Sequence, residues 1–333
     1  MKKNNTIIIA EAGVNHNGKL AVAKKLVNAA KNVGADIVKF QTYRTENIVT
    51  KSSKKAIYQK KYKPKESQYN MLKNLELSFK EFEILSRTCS KKKIEFLSTG
   101  FDINSIKFLN SINQKRFKIP SGEITNYPLL RFIGKKKKEI ILSTGMSNLK
   151  DIELAIKVLT DFGTPLKKIT ILHCNSAYPT HPKDVNLKAM ITIKNNFGVK
   201  VGYSDHTLGI EAAIIAVSLG AKIIEKHLTL NKKSAGPDHA TSVEPHVFKK
   251  MVSAIRRTEE YLGKEKKVMT KNESENKNVV RKSIVASKDI KKGENFSEVN
   301  LATKRPGEGI SPMKWKKIIG KKAKKNYKKD DFI

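Results

Sequence analysis

Short apolar runs recur along the chain, and each of them ends in polar residues. Most neighbouring runs are separated by a stretch with apolar residues every three or four positions, as in 20–34, 149–163 and 209–220, which predicts amphipathic helices. A strand followed by a helix, repeated eight times, is typical of a closed barrel of parallel strands. We therefore predict an α/β protein built on a (β/α)8 TIM barrel. The runs lie at 6–13, 35–42, 94–100, 116–123, 139–145, 169–175, 200–206 and 221–229.

The polar ends of these runs predict a single pocket. In a barrel of this kind the C-terminal ends of all strands meet at one rim, where active sites are built. Ordinary turns use mainly Gly, Asn, Asp and Pro, whereas these ends are rich in Lys, Glu, His and Ser. Residues two apart, such as Lys39 and Gln41, lie on the same side of a strand and reach the same pocket.

The chain is long enough, at 333 residues, for a barrel and a small second domain. We predict the barrel at 1–263, a charged linker at 264–278 and a small β-rich domain at 279–333, with a short helix around 313–323. The stretch 43–93 exceeds one crossover helix, and its polar part predicts an active-site loop.

The formal net charge of +36 would suggest a nucleic-acid partner, but the kind of basic residue argues against one. Only 8 of the 67 basic residues are Arg, which nucleic-acid interfaces favour, and the lysines are spread along the chain. We therefore predict a solvated surface without nucleic acid. No run is long enough for a signal peptide or a membrane span. Cys89 and Cys174 lie in or beside apolar runs, which indicates reduced thiols in a cytoplasmic protein.

Two groups of residues suggest chemistry at the rim. His206 and His227 end neighbouring strands, where two imidazoles can bind a divalent metal or simply form hydrogen bonds. Lys39 and Lys118, together with strand-end hydroxyls, can hold an anion such as a phosphate. The hydroxyls could equally cap turns or helices. The hydroxyl residues are Thr99, Ser121, Ser143 and Ser204.

Other rim residues allow more than one role. Lys118 could be a Schiff-base nucleophile or could form an ion pair with Glu123. Glu11 and Glu123 could act as general acid or base. Asp238, in GPDHATSVEP, could contact a substrate or could stabilise an Asx turn.

Motifs throughout the chain resemble the bacterial sialic acid synthase family, which includes N-acetylneuraminate and legionaminate synthases. The C-terminal part is similar to the antifreeze-like (SAF) domain of that family. The motifs are IIIAEAGVNHNG, VKFQT, FKIPSGEITN, ILSTGM, ILHCNSAYPT, GYSDHTLG, EKHLTL, GPDHATSVEP and KRPGEGISPMKW.

The resemblance implies a homodimer with swapped C-terminal domains that condenses phosphoenolpyruvate with an N-acetylated amino sugar. It implies a divalent metal, usually Mn2+, on His206 and His227, and Glu11 and Glu123 as catalytic residues. It further implies that Arg305 reaches into the partner's site. Phosphoenolpyruvate would be held by Lys39, Thr99, Lys118, Ser121, Ser143 and Ser204. The sugar would be held by Gln41, Ser176, Tyr178, Asp238 and Arg305.

The main expectation for the reaction is N-acetylneuraminate synthesis from N-acetylmannosamine, with release of phosphate. An alternative is N,N'-diacetyllegionaminate synthesis from a 6-deoxy-2,4-diacetamido hexose. A more distant one is a Schiff-base aldolase on Lys118 with pyruvate. A non-enzymatic alternative is that the C-terminal domain binds ice or nucleic acid. The Lys-rich composition of this domain argues against ice binding. The family commonly has Pro where this chain has Gly100. We expect the glycine to loosen the loop beside Thr99. Ser176 and Ala177 also depart from the family pattern.

Overall fold

The computed structural model describes residues 6–56, 59 and 65–333. The chain divides into two compact units, and the boundary follows Gly263. The first unit contains a closed barrel of eight parallel strands in chain order, with β8 pairing back to β1. The predicted (β/α)8 barrel is therefore confirmed. Its strands are β1 (Ile7–Gly13), β2 (Ile37–Thr42), β3 (Glu95–Gly100), β4 (Arg116–Ile119), β5 (Glu139–Ser143), β6 (Ile169–Cys174), β7 (Lys200–Asp205) and β8 (Ile223–His227).

At least one helix follows every barrel strand, and the apolar faces of the helices and the outer faces of the strands share one core. Side-chain caps begin several helices, among them Ser78 and Asn148, which each form a capping box. Gly34 and Gly220 follow helix ends with positive φ, as C-terminal glycines do. The helices are α1 (Leu20–Asn32), α2 (Thr45–Ile48), α3 (Gln68–Leu75), α4 (Phe79–Lys91), α5 (Ile103–Ser111), α6 (Tyr127–Gly134), α7 (Leu149–Asp161), α8 (Ala189–Phe197), α9 (Glu211–Ser218) and α10 (Pro245–Leu262).

The inside of the barrel is layered, and this layering positions the site. An apolar layer is formed by side chains such as Ile9, Ile37 and Ile223. Because successive side chains on a strand point to opposite faces, the residue two positions further on also faces the interior, one layer nearer the C-terminal rim. A polar layer therefore lies directly above the apolar one. Its members are Glu11, Lys39, Thr99, Ser143, Cys174 and Glu225.

The stretch 43–93, whose polar part (43–68) is predicted as an active-site loop, is helical mainly after that part. It contains α2, α3 and α4. Residues 57–58 and 60–64 of this stretch lie outside the described residues.

Gly100 is closely packed, contrary to the expected loosening of its loop. A Cβ atom at this position would lie 2.6 Å from Cδ1 of Ile106 and 3.2 Å from Cδ1 of Leu109. Both side chains belong to α5 and are fully buried. The space that a larger residue would need is therefore filled by α5, so the loop beside Thr99 gains no room.

The second unit has its own small core and a two-stranded antiparallel sheet, β9 (Ser283–Ala286) and β10 (Leu301–Lys304). Ile284, Phe296 and Tyr327 are among its buried residues. A short helix, α12 (Trp315–Ile318), lies where one is predicted. The segment predicted as a linker overlaps a further helix, α11 (Lys271–Val280), whose residues are all exposed. No described helix has the length and apolarity needed to cross a membrane.

Candidate active site

A cavity of about 470 Å³ opens at the C-terminal rim of the barrel. Every predicted site residue of the barrel lines it. Arg305 belongs to the second unit, where it is exposed directly after β10. The predicted residues around the cavity are Glu11, Lys39, Gln41, Thr99, Lys118, Ser121, Glu123, Ser143, Ser176, Tyr178, Ser204, His206, His227 and Asp238.

Glu225 lies at the centre of a charged floor. Its Oε1 atom is 3.4 Å from Nζ of Lys118, and its Oε2 atom is 3.6 Å from Nζ of Lys39. Ser204 donates a hydrogen bond to Oε1 at 3.0 Å. All four side chains are buried. The ion-pair partner of Lys118 is therefore Glu225, and not Glu123 as one sequence interpretation proposed.

Lys39 connects this floor to Glu11. Its Nζ atom is 2.8 Å from Oε2 of Glu11 and donates to Oγ1 of Thr99 at 3.1 Å. Gln41 donates to the other carboxylate oxygen of Glu11, also at 3.1 Å. The polar strand ends of β1, β2, β3, β4, β7 and β8 thus form one connected network.

The acids of the cavity differ in their protonation. Burial raises the pKa of Glu11, and the nearby Glu225 carboxylate adds to this, although Lys39 opposes it. Burial also disfavours ionisation of Glu225, but Lys118 and Lys39 outweigh it and lower the pKa of that carboxyl to about 2. Burial, with a contribution from Glu11, raises the pKa of Asp238 to about 7. The cavity therefore combines one firmly ionised carboxylate with a carboxyl that can hold a proton near neutral pH.

The two histidines have nitrogen atoms available for a ligand. Nδ1 of His206 lies 2.6 Å from the carbonyl oxygen of Asn175, which can only accept, so Nδ1 carries the proton and Nε2 keeps a lone pair. Nδ1 of His227 is buried without a hydrogen-bond partner among the described residues. The two ring centroids are 5.5 Å apart. Burial lowers the pKa of both imidazoles, and His206 further lowers that of His227, which keeps them neutral.

Neutral imidazoles with free lone pairs fit a divalent first-row metal. Within the described part of the chain, no group of three or more His, Cys, Asp or Glu side chains is arranged to hold a metal. Two imidazoles on such a metal leave coordination positions that water or substrate can take.

Two hydroxyl groups of the cavity, those of Ser121 and Ser176, lie close to Gly145. Ser121 accepts a hydrogen bond from the backbone N–H of Gly145 at 2.9 Å and lies 3.3 Å from Sγ of Cys174. A Cβ atom at Gly145 would be 2.9 Å from Oγ of Ser121 and 2.3 Å from Oγ of Ser176, so a larger residue would displace these two hydroxyl groups. Ser143 has a buried hydroxyl without a partner among the described residues, and it can therefore serve a ligand.

Tyr178 lies beside the two histidines, and Glu123 lies at the edge of the cavity. The Tyr178 ring centroid is 4.2 Å from that of His206 and 5.9 Å from that of His227. Glu123 is half-buried and accepts a hydrogen bond from Asn126 at 2.6 Å. Its carboxylate can therefore reach water.

Sequence reasoning counted Glu225 among the polar strand ends of the pocket but assigned it no function, and it missed Cys174 and the apolar part of the lining as cavity residues. Glu225 stands at a strand end, two positions before His227, and this spacing indicates the same side of β8. Its role could not be predicted, because its ion pairs with Lys39 and Lys118 form across the interior of the closed barrel. Residue spacing along the sequence does not reveal such contacts. Cys174 was interpreted only as a reduced thiol. The apolar part of the lining, which includes Met71 and Leu72, was hidden in a stretch that is polar overall.

The fold and this cavity define a (β/α)8-barrel protein with buried charged side chains in a cavity at its C-terminal rim. Residues 26–267 match the NeuB family, and residues 281–333 match the SAF domain. The chain therefore belongs to the NeuB family, and the predicted resemblance to sialic acid synthases with a SAF domain is confirmed.

Two relatives are similar over nearly their whole length. The N,N'-diacetyllegionaminic acid synthase of Campylobacter jejuni is 52% identical over 334 residues, covering 100% of this chain and 99% of the relative. The protein of the same name from Legionella pneumophila is 48% identical over 322 residues, covering 96% and 90%. A crystal structure of N-acetylneuraminic acid (sialic acid) synthetase from Leptospira borgpetersenii, in complex with citrate, has a TM-score of 0.73 at 34% identity, covering 82% of this chain and 90% of that one.

Proposed function

We propose that this protein condenses phosphoenolpyruvate with a 6-deoxy-2,4-diacetamido hexose to form N,N'-diacetyllegionaminate and phosphate. The observation that carries the choice of product is the 52% and 48% identity, over nearly full length, to two proteins named for that product. The main expectation from the sequence was N-acetylneuraminate, and it has weaker support, because the named sialic acid synthetase is only 34% identical. The broader class, a phosphoenolpyruvate-dependent enzyme that forms a C–C bond, is common to both.

The charged floor suits phosphoenolpyruvate. Lys39 and Lys118 bring two ammonium groups into a buried site, and Ser143 offers an unused hydroxyl. Charge-assisted hydrogen bonds from buried ammonium groups are strong enough to hold a small phosphorylated anion. Glu225 keeps the two lysines in place before the substrate arrives.

The sugar then lies above the floor, beside the histidines. Carbon 3 of phosphoenolpyruvate attacks the aldehyde carbon of the open-chain sugar, and the new alcohol oxygen takes up a proton. Asp238 is suited to donate it, since its pKa of about 7 lets the buried carboxyl carry a proton near neutral pH. Glu123, the half-buried carboxylate at the cavity edge, orients the water that adds to carbon 2. Expulsion of phosphate from carbon 2 then leaves the 2-keto acid.

His206 and His227 would hold the divalent metal, which when bound would stabilise negative charge on the aldehyde oxygen as a Lewis acid. Their neutral rings and unused nitrogen atoms support this assignment.

The reaction is tested by phosphate release with phosphoenolpyruvate and each sugar in turn. We expect faster release, per enzyme and per sugar concentration, with the 6-deoxy-2,4-diacetamido hexose than with N-acetylmannosamine. Exhaustive chelation should abolish release, and Mn2+ should restore it. A clear preference for N-acetylmannosamine would return the assignment to N-acetylneuraminate synthesis, and no release with either sugar would overturn the proposal.

A further inference from the structure

The cavity has two different surfaces. Its floor carries the charged groups and hydroxyls described above, whereas the side formed by α2, α3 and the residues beside them is mostly apolar, with Gln59 and Gln68 as its polar members. We call this side the apolar wall. It comprises Ile48, Val49, Met71, Leu72, Leu75 and Phe101.

The apolar wall is held firmly in place. Tyr43 donates a hydrogen bond to the carbonyl oxygen of Leu72 at 3.1 Å and packs edge-to-face against Phe101, with ring centroids 6.2 Å apart. The Glu76 carboxylate, directly after α3, accepts from the backbone N–H of Thr45 at 3.0 Å and from its hydroxyl at 2.9 Å. Since α2 and α3 are tied together in this way, the wall presents a defined surface to the cavity.

The close approach of α3 to the barrel also requires a glycine in the loop after β1. Gly18 has φ of +68°, and a Cβ atom there would lie 2.4 Å from the carbonyl oxygen of Asn74. The apolar wall is thus a built feature of the rim and not an accidental contact of a surface loop.

The chemistry of the two substrates decides which of them meets this wall. Phosphoenolpyruvate is small and carries several negative charges, so it gains from the lysines of the floor and not from apolar side chains. The sugar must fill the rest of the cavity. Ile48, Val49 and Leu72 are only half-buried, so each keeps surface that a ligand can cover.

The candidate sugars differ where an apolar wall would distinguish them. A 6-deoxy-2,4-diacetamido hexose has three methyl groups, one at carbon 6 and one in each acetamido group. N-acetylmannosamine has a single methyl group, and a hydroxymethyl group replaces the methyl at carbon 6. A hydroxyl placed against apolar side chains loses water without gaining a hydrogen bond, whereas a buried methyl group is favourable.

We infer that the apolar wall selects the 6-deoxy-2,4-diacetamido sugar by burying its methyl groups, with Leu72 and Val49 as specificity-determining residues. This inference rests on the proposed function and names the part of the site that carries the choice of sugar. A preference of roughly 10- to 100-fold in kcat/KM is expected, because an apolar pocket discriminates only moderately against an added hydroxyl.

The test compares the kcat/KM ratio for the two sugars in the full-length wild-type enzyme and in Leu72→Gln and Val49→Thr variants. Val49→Thr keeps the shape of the side chain and adds one hydroxyl, so it is the milder change. Leu154→Gln is the matched control, because Leu154 is 50% exposed on the outer helix α7. We expect both wall variants to lower the ratio at least fivefold, with an unchanged KM for phosphoenolpyruvate, and the control to leave it unchanged.

The possible failures are distinguishable. If the wild type prefers the 6-deoxy sugar but both wall variants keep its ratio, the role of the apolar wall is wrong and the proposed function stands. If the wild type releases phosphate with neither sugar, the proposed function itself is wrong. A fall in the ratio for Leu154→Gln as large as for Leu72→Gln would also overturn the inference, since the effect would not then be local to the wall.

Discussion

Lys118 shows how one buried charge depends on its neighbours. Its Nζ atom lies 3.4 Å from Glu225, and burial lowers its pKa while Glu225 opposes this effect. An arriving anion adds a further negative charge beside it and favours the charged ammonium form. Lys118 is therefore expected to contribute to phosphoenolpyruvate binding more than an exposed lysine would.

Replacing Lys118 with Met keeps most of the stem and removes the ammonium group. We expect weaker binding of phosphoenolpyruvate by about 1.5–3 kcal/mol, or roughly ten- to a hundredfold, because one charge-assisted hydrogen bond is lost. The Michaelis constant for phosphoenolpyruvate measures this, and circular dichroism checks that the variant folds. An unchanged constant with normal turnover would place Lys118 outside the binding site.

The raised pKa of Asp238 predicts that this residue makes the stability of the protein depend on pH. Its pKa in the folded protein is about 7, above the ordinary value of 3.8, because of burial and the neighbouring Glu11. The folded state therefore holds this proton more tightly than the unfolded state does. The resulting stabilisation is complete below about pH 4 and is lost as the pH rises toward 7.

An Asp238→Asn variant cannot ionise at this position and should escape that loss. Relative to wild type, its free energy of unfolding should rise between about pH 4 and pH 8 by up to about 4 kcal/mol. Urea unfolding of both proteins across this range measures the difference. A difference between the two proteins that does not vary with pH would show that the Asp238 carboxyl is not protonated in the folded state near neutral pH.

At the scale of elements, β7 and β8 are joined by a buried ion pair directly behind the two histidines. Lys226 precedes His227, and Asp205 precedes His206. The Nζ atom of Lys226 lies 2.6 Å from Oδ2 of Asp205 and donates to the carbonyl oxygen of Thr207 at 2.8 Å. Both charged side chains are buried. The pair therefore holds together the two strand ends that carry the histidines.

A Lys226→Met variant leaves Asp205 buried without its ion-pair partner, so we expect a loss of about 3–5 kcal/mol of stability. Affinity for Mn2+ should fall about tenfold or more, because the histidines lose part of their support. Mn2+ binding followed by electron paramagnetic resonance, alongside urea unfolding, measures both effects. The Asp205→Asn/Lys226→Met double variant should recover stability but not metal affinity. Unaltered Mn2+ affinity in the single variant would mean that the ion pair does not position the histidines.

The strands and helices could be predicted from the sequence, whereas contacts across the barrel could not. The eight strands and most of their helices were predictable, because strands buried on both faces and helices with one apolar face leave distinct periodicities. The residues of the rim followed from the strand ends. The pairing of Glu225 with Lys39 and Lys118 did not follow, because it arises only when the barrel closes and brings β2, β4 and β8 around one interior. The apolar wall was missed because α3 is short and is preceded by many lysines.

At the scale of the whole molecule, two arrangements of the second unit make different predictions for Arg305. The family resemblance implies a dimer in which Arg305 serves the partner's barrel. The alternative is that Arg305 acts only within its own small domain, since Arg-Pro-Gly is also an ordinary turn sequence.

Mixing two variants distinguishes these arrangements. Glu123→Gln should remove the contribution of the barrel to the site, and Arg305→Ala should remove the contribution of the second unit. Each variant alone should therefore be nearly inactive. If the site is shared between subunits, random pairing of the two variants should restore about a quarter of wild-type activity, because half of the dimers are mixed and each has one intact site. Phosphate release after subunit exchange measures the recovery. Continued inactivity, with exchange shown independently, would reject the swapped arrangement but not the barrel chemistry.

The central claim is that the barrel joins phosphoenolpyruvate to an amino sugar and expels phosphate from carbon 2. The most direct measurement uses phosphoenolpyruvate with a heavy oxygen isotope in the bridge between carbon 2 and phosphorus. Mass spectrometry of the released phosphate then shows which bond breaks. We predict that the label leaves in the phosphate, in equal amount to a nine-carbon 2-keto acid formed from the sugar. Unlabelled phosphate, or labelled phosphate without that product, would contradict the account.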